Sequence, residues 1–291
     1  MANWQKQAPE ETLLHFMKEK LKLAILDLYD NTPNQGMRCI KDIVRHYDAY
    51  YDWKIFDVRG KCEIPDLSYD IYISSGGPGS PHEGDGIWDK RYFNWLDQLW
   101  EWNSEAKGRK KYVFFICHSF QMACRYFEIG EVTKRKSQSF GTFPIHMTDE
   151  GIDEITFQGL NNPFFAADFR FFQVVKPNLK KLDTMGASIL ALEKIRPHVA
   201  LERAIMGIRF SNEMVGVQFH PEADPGGMLK HFTDPDRKQQ IIDEHGTDKL
   251  LEMVHHLEDQ DKISLTHNVV IPNFIEHAIA QLNVAPLVPR N

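Results

Sequence analysis

The sequence of 291 residues is poor in cysteine and has no long apolar run. Neither CxxC pairs nor zinc-ligand spacing occur among its four cysteines, which are Cys39, Cys62, Cys117 and Cys124. We therefore expect reduced thiols, no disulfide framework and no metal site. No stretch approaches the ~20 apolar residues of a membrane span, and the first residues do not resemble a secretion signal. These features predict a cytoplasmic protein without a membrane partner.

An excess of basic charge is also missing. The formal net charge is -7 and the pI is about 6.0, so the chain offers no general electrostatic attraction to the phosphate backbone of a nucleic acid. The one short basic run, KGRKK at 107–111, directly precedes a predicted strand. We expect no nucleic-acid partner. Apolar residues make up 42% of the chain, which is enough for a packed core.

The first half of the chain alternates between strand and helix patterns. Apolar strand patterns lie near 21–30, 53–58, 69–75 and 111–117, and helical spacing lies between them, at 36–50 and 89–102. Such alternation predicts right-handed crossovers and a buried, mostly parallel sheet. We predict an α/β fold, a flavodoxin-like layered sandwich with a mostly parallel central sheet.

The second half has a different pattern. Short strand patterns separated by Gly, Pro and Asn indicate mixed or antiparallel strands; they lie at 142–148, 154–157, 171–175, 188–195, 204–210 and 214–219. After Pro225 the pattern becomes helical and amphipathic. We predict helical additions at both ends, with an N-terminal extension at 1–20, a central domain at 21–225 and a C-terminal extension at 226–291.

One cysteine lies where a strand pattern passes into a helix pattern. In YVFFICHSFQ, Cys117 follows the strand directly, and a helix begins near Ser119. In an open parallel sheet such a turn lifts a side chain into the ligand site, and the positive helix end favours a thiolate. A free cysteine after an apolar strand is also often a simple core residue. The turn alone leaves both interpretations open.

Two further motifs follow strands. GVQFHPE places His220 and Glu222 just after a strand, so that an imidazole and a carboxylate leave the same sheet edge. A cysteine nucleophile needs such a base and an acid that orients it. SSGGPGSP, at 74–81, follows another strand and lets backbone N–H groups approach a ligand closely. It lacks the GKS or GKT ending of a phosphate loop, so we predict no nucleotide site there.

The order of these three motifs resembles that of the class I glutamine amidotransferase domain, whose pattern is SGGP, G-x-C-x-G-x-Q and G-x-Q-F-H-P-E. The resemblance covers roughly residues 20 to 225. It implies that Cys117 is the nucleophile, that His220 is the general base and acid, and that Glu222 orients it. It further implies an oxyanion hole formed by Gly77 and the amide of His118, and a substrate pocket that includes Gln121 and Gly76.

The resemblance implies hydrolysis of the glutamine side-chain amide through a γ-glutamyl thioester, with release of ammonia. Family domains normally pass this ammonia to a synthetase partner or domain, and no synthetase segment is visible in this chain. The implied partners are a small amide substrate and a separate synthetase, with a homo-oligomer as a further option. No cofactor is implied.

Four positions depart from the family pattern. Phe115 and Ser119 stand where the family has glycines, and the Ser-His pair that holds the glutamine backbone is missing. Arg170 and Phe171 stand in its place. Arg170 could meet a substrate carboxylate, since its planar fork suits that group, or it could form a surface ion pair. The departures keep two alternatives open: a cysteine hydrolase or transferase acting on a different amide, and a non-catalytic binding protein with a vestigial site.

Overall fold

The computed structural model describes residues 20–32, 34–105, 108–198 and 200–283. Its strands are β1 (Leu21–Asp27), β2 (Tyr51–Asp57), β3 (Ile71–Ser74), β4 (Tyr112–Ile116), β5 (Glu131–Met147), β6 (Phe164–Val175), β7 (Ser188–Leu192), β8 (Ile205–Arg209) and β9 (Met214–Val217). Its α-helices are α1 (Gln35–Arg45), α2 (Trp88–Ser104), α3 (His118–Tyr126), α4 (Asp149–Ile152), α5 (Leu179–Met185), α6 (Pro225–Thr233), α7 (Pro235–His245), α8 (Thr247–Glu258) and α9 (Leu265–Asn283). A 3₁₀ turn spans Ile155–Phe157 and a π-helical turn spans Gln260–Ser264.

The strands form one mixed sheet in the order β2-β1-β3-β4-β9-β8-β7-β5-β6. The first five strands in this order, from β2 through β9, pair in parallel, and the remaining neighbouring strands pair antiparallel. The α/β class and the mixed second half are confirmed. The mostly parallel, flavodoxin-like description fits only the first five strands in this order, because β8 and β9 follow each other through a tight turn that forces antiparallel pairing.

Strand β1 shows how the sequence fills both faces of the sheet. Leu23 and Ile25 point into the apolar core under α1 and α9, whereas Ala24 and Leu26 point into the core under α2, α3 and α5. Successive side chains of a strand point to opposite faces, so a fully apolar strand needs helices on both sides. The unbroken apolar pattern of β1 is therefore that of a central strand.

The second half contains a long hairpin that the sequence patterns only partly predict. Strands β5 and β6 pair over most of their length, although the short patterns at 142–148 and 171–175 mark only parts of them. The predicted strand at 154–157 is wrong, because Ile155–Phe157 forms a 3₁₀ turn. Glu154 caps that turn by accepting the backbone N–H of Thr156, and this local bond competes with strand pairing.

The helices after Pro225 pack in two ways. Helices α6 to α8 form an apolar cluster over β6, while the apolar side of α9 lies in the core beneath the sheet. The predicted N-terminal extension at 1–20 lies outside the described residues except for Lys20, and the division into a domain and two extensions stays a prediction. No helix within the described ranges is long and apolar enough to cross a membrane.

Candidate active site

The three predicted motifs meet at the carboxyl edge of the parallel strands. Cys117 follows β4, Gly76 follows β3, and His220 follows β9, and β4 pairs with both of the other strands. Ligands of open α/β sheets bind outside this edge. An ideal Cβ built on Gly76 would lie 3.0 Å from His220 Cε1 and 3.6 Å from Cys117 Cβ. The glycine turn, the thiol and the imidazole thus surround one point.

Cys117 occupies a sharp turn between β4 and α3. Its backbone has φ 47° and ψ -95°, a conformation that residues other than glycine seldom adopt. The turn is fixed on both sides, since the Cys117 N–H donates to the Val217 carbonyl (2.8 Å) and its carbonyl accepts from Gln121 N–H (3.0 Å). The thiol is 5% exposed at the first turn of the helix. Neighbouring backbone therefore holds the strained conformation in place.

His220 is oriented by Glu222. Its Nδ1 lies 2.8 Å from Glu222 Oε1, and its backbone N–H donates to the Ala167 carbonyl (2.8 Å). Burial lowers the pKa of His220, but the Glu222 carboxylate and the Cys117 thiol oppose it and together hold the pKa well above its ordinary value. The imidazole, which lies between a carboxylate and a thiol, thus favours its protonated form.

Glu222 is itself buried, and α9 contributes to its placement. His267 of this helix lies with Nδ1 3.0 Å from the Glu222 carbonyl oxygen. The carboxylate is 1% exposed, and its Oε2 has no hydrogen-bond partner among the described residues. A buried carboxylate is costly unless it is paired, so the His220 imidazole is its main compensation.

Gly77 and His118, the two residues implied for the oxyanion hole, have different surroundings. An ideal Cβ on Gly77 would lie 2.4 Å from the Leu28 carbonyl oxygen, so only glycine lets the turn pass this close to the end of β1. The His118 side chain is buried, and burial together with the charge of Arg59 lowers the pKa of His118 to about 3. Its imidazole is therefore neutral, and its backbone amide begins α3.

Gln121 takes part in a hydrogen-bond chain that reaches the thiol. Its Nε2 donates to Gln218 Oε1 (3.1 Å) and to the Phe172 carbonyl (3.2 Å). Gln218 Nε2 in turn lies 3.7 Å from Cys117 Sγ. Both amide side chains are buried, so these hydrogen bonds hold the Gln218 amide against one side of the thiol.

Gln218 was not among the predicted site residues, although it belongs to the GVQFHPE motif. A polar residue directly after a buried strand such as β9 was the available signal. Tyr29 was not predicted either, and its hydroxyl would lie 3.2 Å from an ideal Cβ built on Gly76. Burial raises the pKa of Tyr29 well above its usual value, and the nearby charges of Glu222 and Cys117 add to this effect. Tyr29 follows the carboxyl end of β1, the one signal that pointed to it.

Arg170 is buried rather than exposed at the surface. Its Nε donates to both Asp168 oxygens (2.8 and 3.0 Å), its Nη2 lies 3.3 Å from Glu193 Oε1, and its Nη1 donates to the Phe172 carbonyl (3.2 Å). The guanidinium is thus already paired with the protein's own carboxylates. A contact with a substrate carboxylate stays a prediction that requires these ion pairs to open.

The two residues that replace family glycines are accommodated by their neighbours. Phe115 is fully buried against Phe210, and Gly216 stands opposite it on β9, where a Cβ would come within 2.9 Å of Phe115 Cβ. Ser119 Oγ accepts from Ile116 N–H (2.8 Å) and donates to the Ser74 carbonyl (2.7 Å). Phe115 therefore packs in the core beside β9, and Ser119 joins the end of β4 to β3.

A model of the family "Glutamine amidotransferase class-I" matches residues 38–235. Among solved structures, the chain is similar to a glutamine amidotransferase from Thermotoga maritima (14% identity, TM-score 0.62, 90% of this chain and 99% of that one). It is also similar to a glutamine amido transferase from Methylobacillus flagellatus (13% identity, TM-score 0.57, 90% and 94%).

A third similar structure is the glutaminase domain of Trypanosoma brucei CTPS with bound acivicin (13% identity, TM-score 0.50, 70% of this chain and 86% of that one). A comparison with curated proteins returns no match. At these identities the structural similarities show the fold alone. The family model covers more than half of the chain, and the chain therefore belongs to the class I glutamine amidotransferase family.

Proposed function

We propose that this chain is a cysteine-dependent amidotransferase-like enzyme that hydrolyses the side-chain amide of glutamine or a related γ-glutamyl compound. One observation carries the proposal: the Cys117 Cβ and the His220 Cε1 both lie within 3.6 Å of the Cβ position at Gly76, and Glu222 holds the far side of the imidazole. A nucleophile, a base and an orienting acid in this order form the arrangement that acyl transfer requires.

In the first step the Cys117 sulfur attacks the amide carbonyl carbon, and the carbonyl electrons move onto oxygen. The N–H groups of Gly77 and His118 would stabilise this oxyanion. Protonated His220 gives its proton to the leaving nitrogen, ammonia departs, and a γ-glutamyl thioester stays on Cys117. The raised pKa of His220 suits this step, since the imidazolium is the required acid.

In the second step neutral His220 takes a proton from water, which attacks the thioester carbonyl. The sulfur leaves, glutamate forms, and the Cys117–His220 pair is restored. Glu222 stabilises the imidazolium at each stage, and its burial strengthens that interaction. Gln121 and the backbone at Gly76 would line the substrate pocket beside the thiol.

The released ammonia would pass to a separate synthetase. The family resemblance supports this assignment, and one structure with a similar fold is named as the glutaminase domain of CTPS. The acceptor would bind near the carboxyl edge of the parallel strands, where the ammonia forms.

A related amide other than glutamine is the second candidate substrate. Two observations favour it: Gln121 already donates to Gln218 and Phe172, and Arg170 is held by Asp168 and Glu193. The side chains that would recognise a free amino acid head group are thus engaged within the protein. A substrate with a different head group would leave these bonds intact.

The test is ammonia release from glutamine, asparagine and glutaramide, a primary amide without the amino acid head group, measured for the wild type, Cys117→Ala and Cys124→Ala. Cys124 is a matched control because it is buried on the same helix. We expect turnover of a γ-glutamyl substrate by the wild type and by Cys124→Ala, and none by Cys117→Ala. Glutaramide turnover without glutamine turnover would identify the second candidate. Equal rates for wild type and Cys117→Ala would refute both.

A further inference from the structure

Arg59 connects the glycine turn to the end of the first strand. It lies two residues after β2, and its Nη1 donates to the Pro78 carbonyl (2.6 Å) and to the Leu28 carbonyl (3.3 Å). Pro78 directly follows Gly77, and Leu28 is the residue whose carbonyl Gly77 packs against. One guanidinium nitrogen therefore holds together the two backbone segments that set the position of the Gly77 peptide.

The guanidinium itself is held on two further sides. Its Nη2 lies 3.7 Å from Asp30 Oδ2, and its Cζ lies 5.2 Å from the centre of the Trp88 ring. Only 16% of the side chain is exposed. An arginine fixed by an acid and an aromatic ring has lost most of its rotamer freedom before it binds a carbonyl, so it can hold that carbonyl in a defined place.

A second bond secures the same turn from the other side. Ser75 Oγ accepts the backbone N–H of Leu28 (2.9 Å) and donates to the Gly76 carbonyl (2.8 Å). The turn is therefore tied to the end of β1 at both Ser75 and Pro78, with Gly76 and Gly77 between the two ties. Arg59 provides the tie on the side of Gly77.

The charge of Arg59 also reaches His118, the residue after the nucleophile. It contributes, after burial, to the lowered pKa of His118, whose backbone amide begins α3. A positive charge is thus present near both residues whose N–H groups form the oxyanion hole proposed above. In a buried site such a charge favours negative charge on a bound oxygen.

We propose that Arg59 is a positioning residue for acyl transfer at Cys117: it fixes the glycine turn so that the Gly77 N–H can bind the oxyanion, and its charge supports that oxyanion. The proposal rests on the function proposed above and extends it to a residue outside the three motifs. Arg59 touches neither the thiol nor the imidazole in the contacts described, so it acts through the turn.

Two reactions of Cys117 separate this role from a general structural one. With p-nitrophenyl acetate the sulfur bonds to the carbonyl carbon, an oxyanion forms, and its collapse breaks the bond to p-nitrophenolate. With iodoacetamide the sulfur displaces iodide, and no oxygen gains charge. Only the first reaction needs the oxyanion hole, and neither reagent contains a glutamine head group.

The experiment compares the wild type, Arg59→Met, Arg59→Lys and Arg91→Met by the rate of the p-nitrophenolate burst and by the iodoacetamide rate at Cys117, with peptide mapping. Arg91 is the matched control, because it is exposed and donates to the Cys62 carbonyl (3.1 Å). We expect Arg59→Met to acylate roughly 10- to 100-fold more slowly and to alkylate within about twofold of the wild type. Arg59→Lys, which keeps the charge without the fork, should recover part of the loss. Arg91→Met should react like the wild type in both assays.

Three results would overturn the inference. Arg59→Met could acylate as fast as the wild type, or both of its reactions could fall by the same factor, which would indicate a general loss of structure. Arg91→Met could slow acylation as much as Arg59→Met. A wild-type protein that alkylates at Cys117 but never acylates there would instead refute the proposed function, and this outcome is visible without any Arg59 variant.

Discussion

The parallel and antiparallel halves of the sheet place their polar groups differently. In the parallel half the polar groups of the site lie just beyond strand ends, at Cys117 and His220. In the antiparallel half charged side chains lie within strands, with Asp168 and Arg170 on β6 and Arg135 on β5. Groups beyond a strand end can change without disturbing the core, whereas charges within it must stay paired.

The difference has a functional meaning. Residues at the edge of the parallel half should determine chemistry and the way stability changes with pH, whereas the buried ion pairs of the antiparallel half should matter more for stability at a fixed pH. Gln121 and Phe172 link the two halves, because the Phe172 carbonyl accepts from both Gln121 and Arg170. Four predictions test this division, from the largest expected effect to the smallest.

Replacing the nucleophile should abolish activity and leave the fold intact. We expect Cys117→Ala to lower turnover of the γ-glutamyl substrate at least about 1,000-fold, since no other group can form the thioester. Its free energy of unfolding should stay within about 1 kcal/mol of the wild type, because only one sulfur atom is lost from the rim of the core. Ammonia release and urea denaturation measure the two effects. Activity within tenfold of the wild type would contradict the role of Cys117 as the nucleophile.

Breaking the buried ion pairs should destabilise the protein strongly. Arg170→Met leaves Asp168 without its guanidinium, and we expect a loss of about 3–5 kcal/mol in the free energy of unfolding. The control is Arg45→Met, which removes an exposed pair with Asp42 (2.9 Å) and should cost about 1 kcal/mol or less. Urea denaturation compares the two. Equal losses would mean that burial does not distinguish these pairs.

Acid should weaken the fold through His118. Its pKa is about 3 in the folded protein and near 6.5 when unfolded, so the unfolded chain binds the extra proton between these values. Stability is therefore complete above pH 6.5 and falls as the pH drops, by about 1.4 kcal/mol per pH unit from this group. His118→Gln should lose about 2 kcal/mol less than the wild type between pH 6.5 and 5.0. Parallel curves for the two proteins in urea would rule out a buried neutral imidazole.

His220 should act in the opposite direction. Because its pKa is raised in the folded state, its contribution to stability is complete below pH 6.5 and is lost as the pH rises through the folded value. We expect the wild type to lose stability from pH 6.5 upward by at most about 1.4 kcal/mol per pH unit. His220→Gln should lack this slope, whatever its absolute stability. Denaturation series from pH 6 to 9 provide the measurement, and an unchanged slope in the variant would contradict the pairing with Glu222.

Local sequence patterns predicted the edge of the parallel half well. Apolar strands, helical spacing and three motifs at strand ends are encoded within a few residues, and the structure brings the motifs together. The position of Arg59 could not be predicted, because its carbonyl partners come from β1 and from the glycine turn, 31 and 19 residues away. Contacts between distant segments leave no periodic signal in a single sequence.

The antiparallel half was harder to predict for a related reason. The long β5–β6 hairpin contains charged residues at positions that a pattern reads as exposed. Arg170 illustrates this, since its partner Asp168 lies on the same strand but its second partner, Glu193, directly follows β7. Phe115 is a similar case: its bulk at the turn is accommodated by Gly216, which lies about 100 residues later in the chain. Only the pairing of β4 with β9 shows that the two residues compensate each other.

The most direct test of an active Cys117 site is the mass of the intact protein after exposure to a diazo-ketone analogue of glutamine, followed by peptide mapping. We predict a single adduct on Cys117 in the wild type and in Cys124→Ala, and none in Cys117→Ala. An unmodified wild-type protein whose Cys117 still reacts with iodoacetamide would contradict the glutamine site, because the thiol would be accessible without a pocket that accepts the analogue.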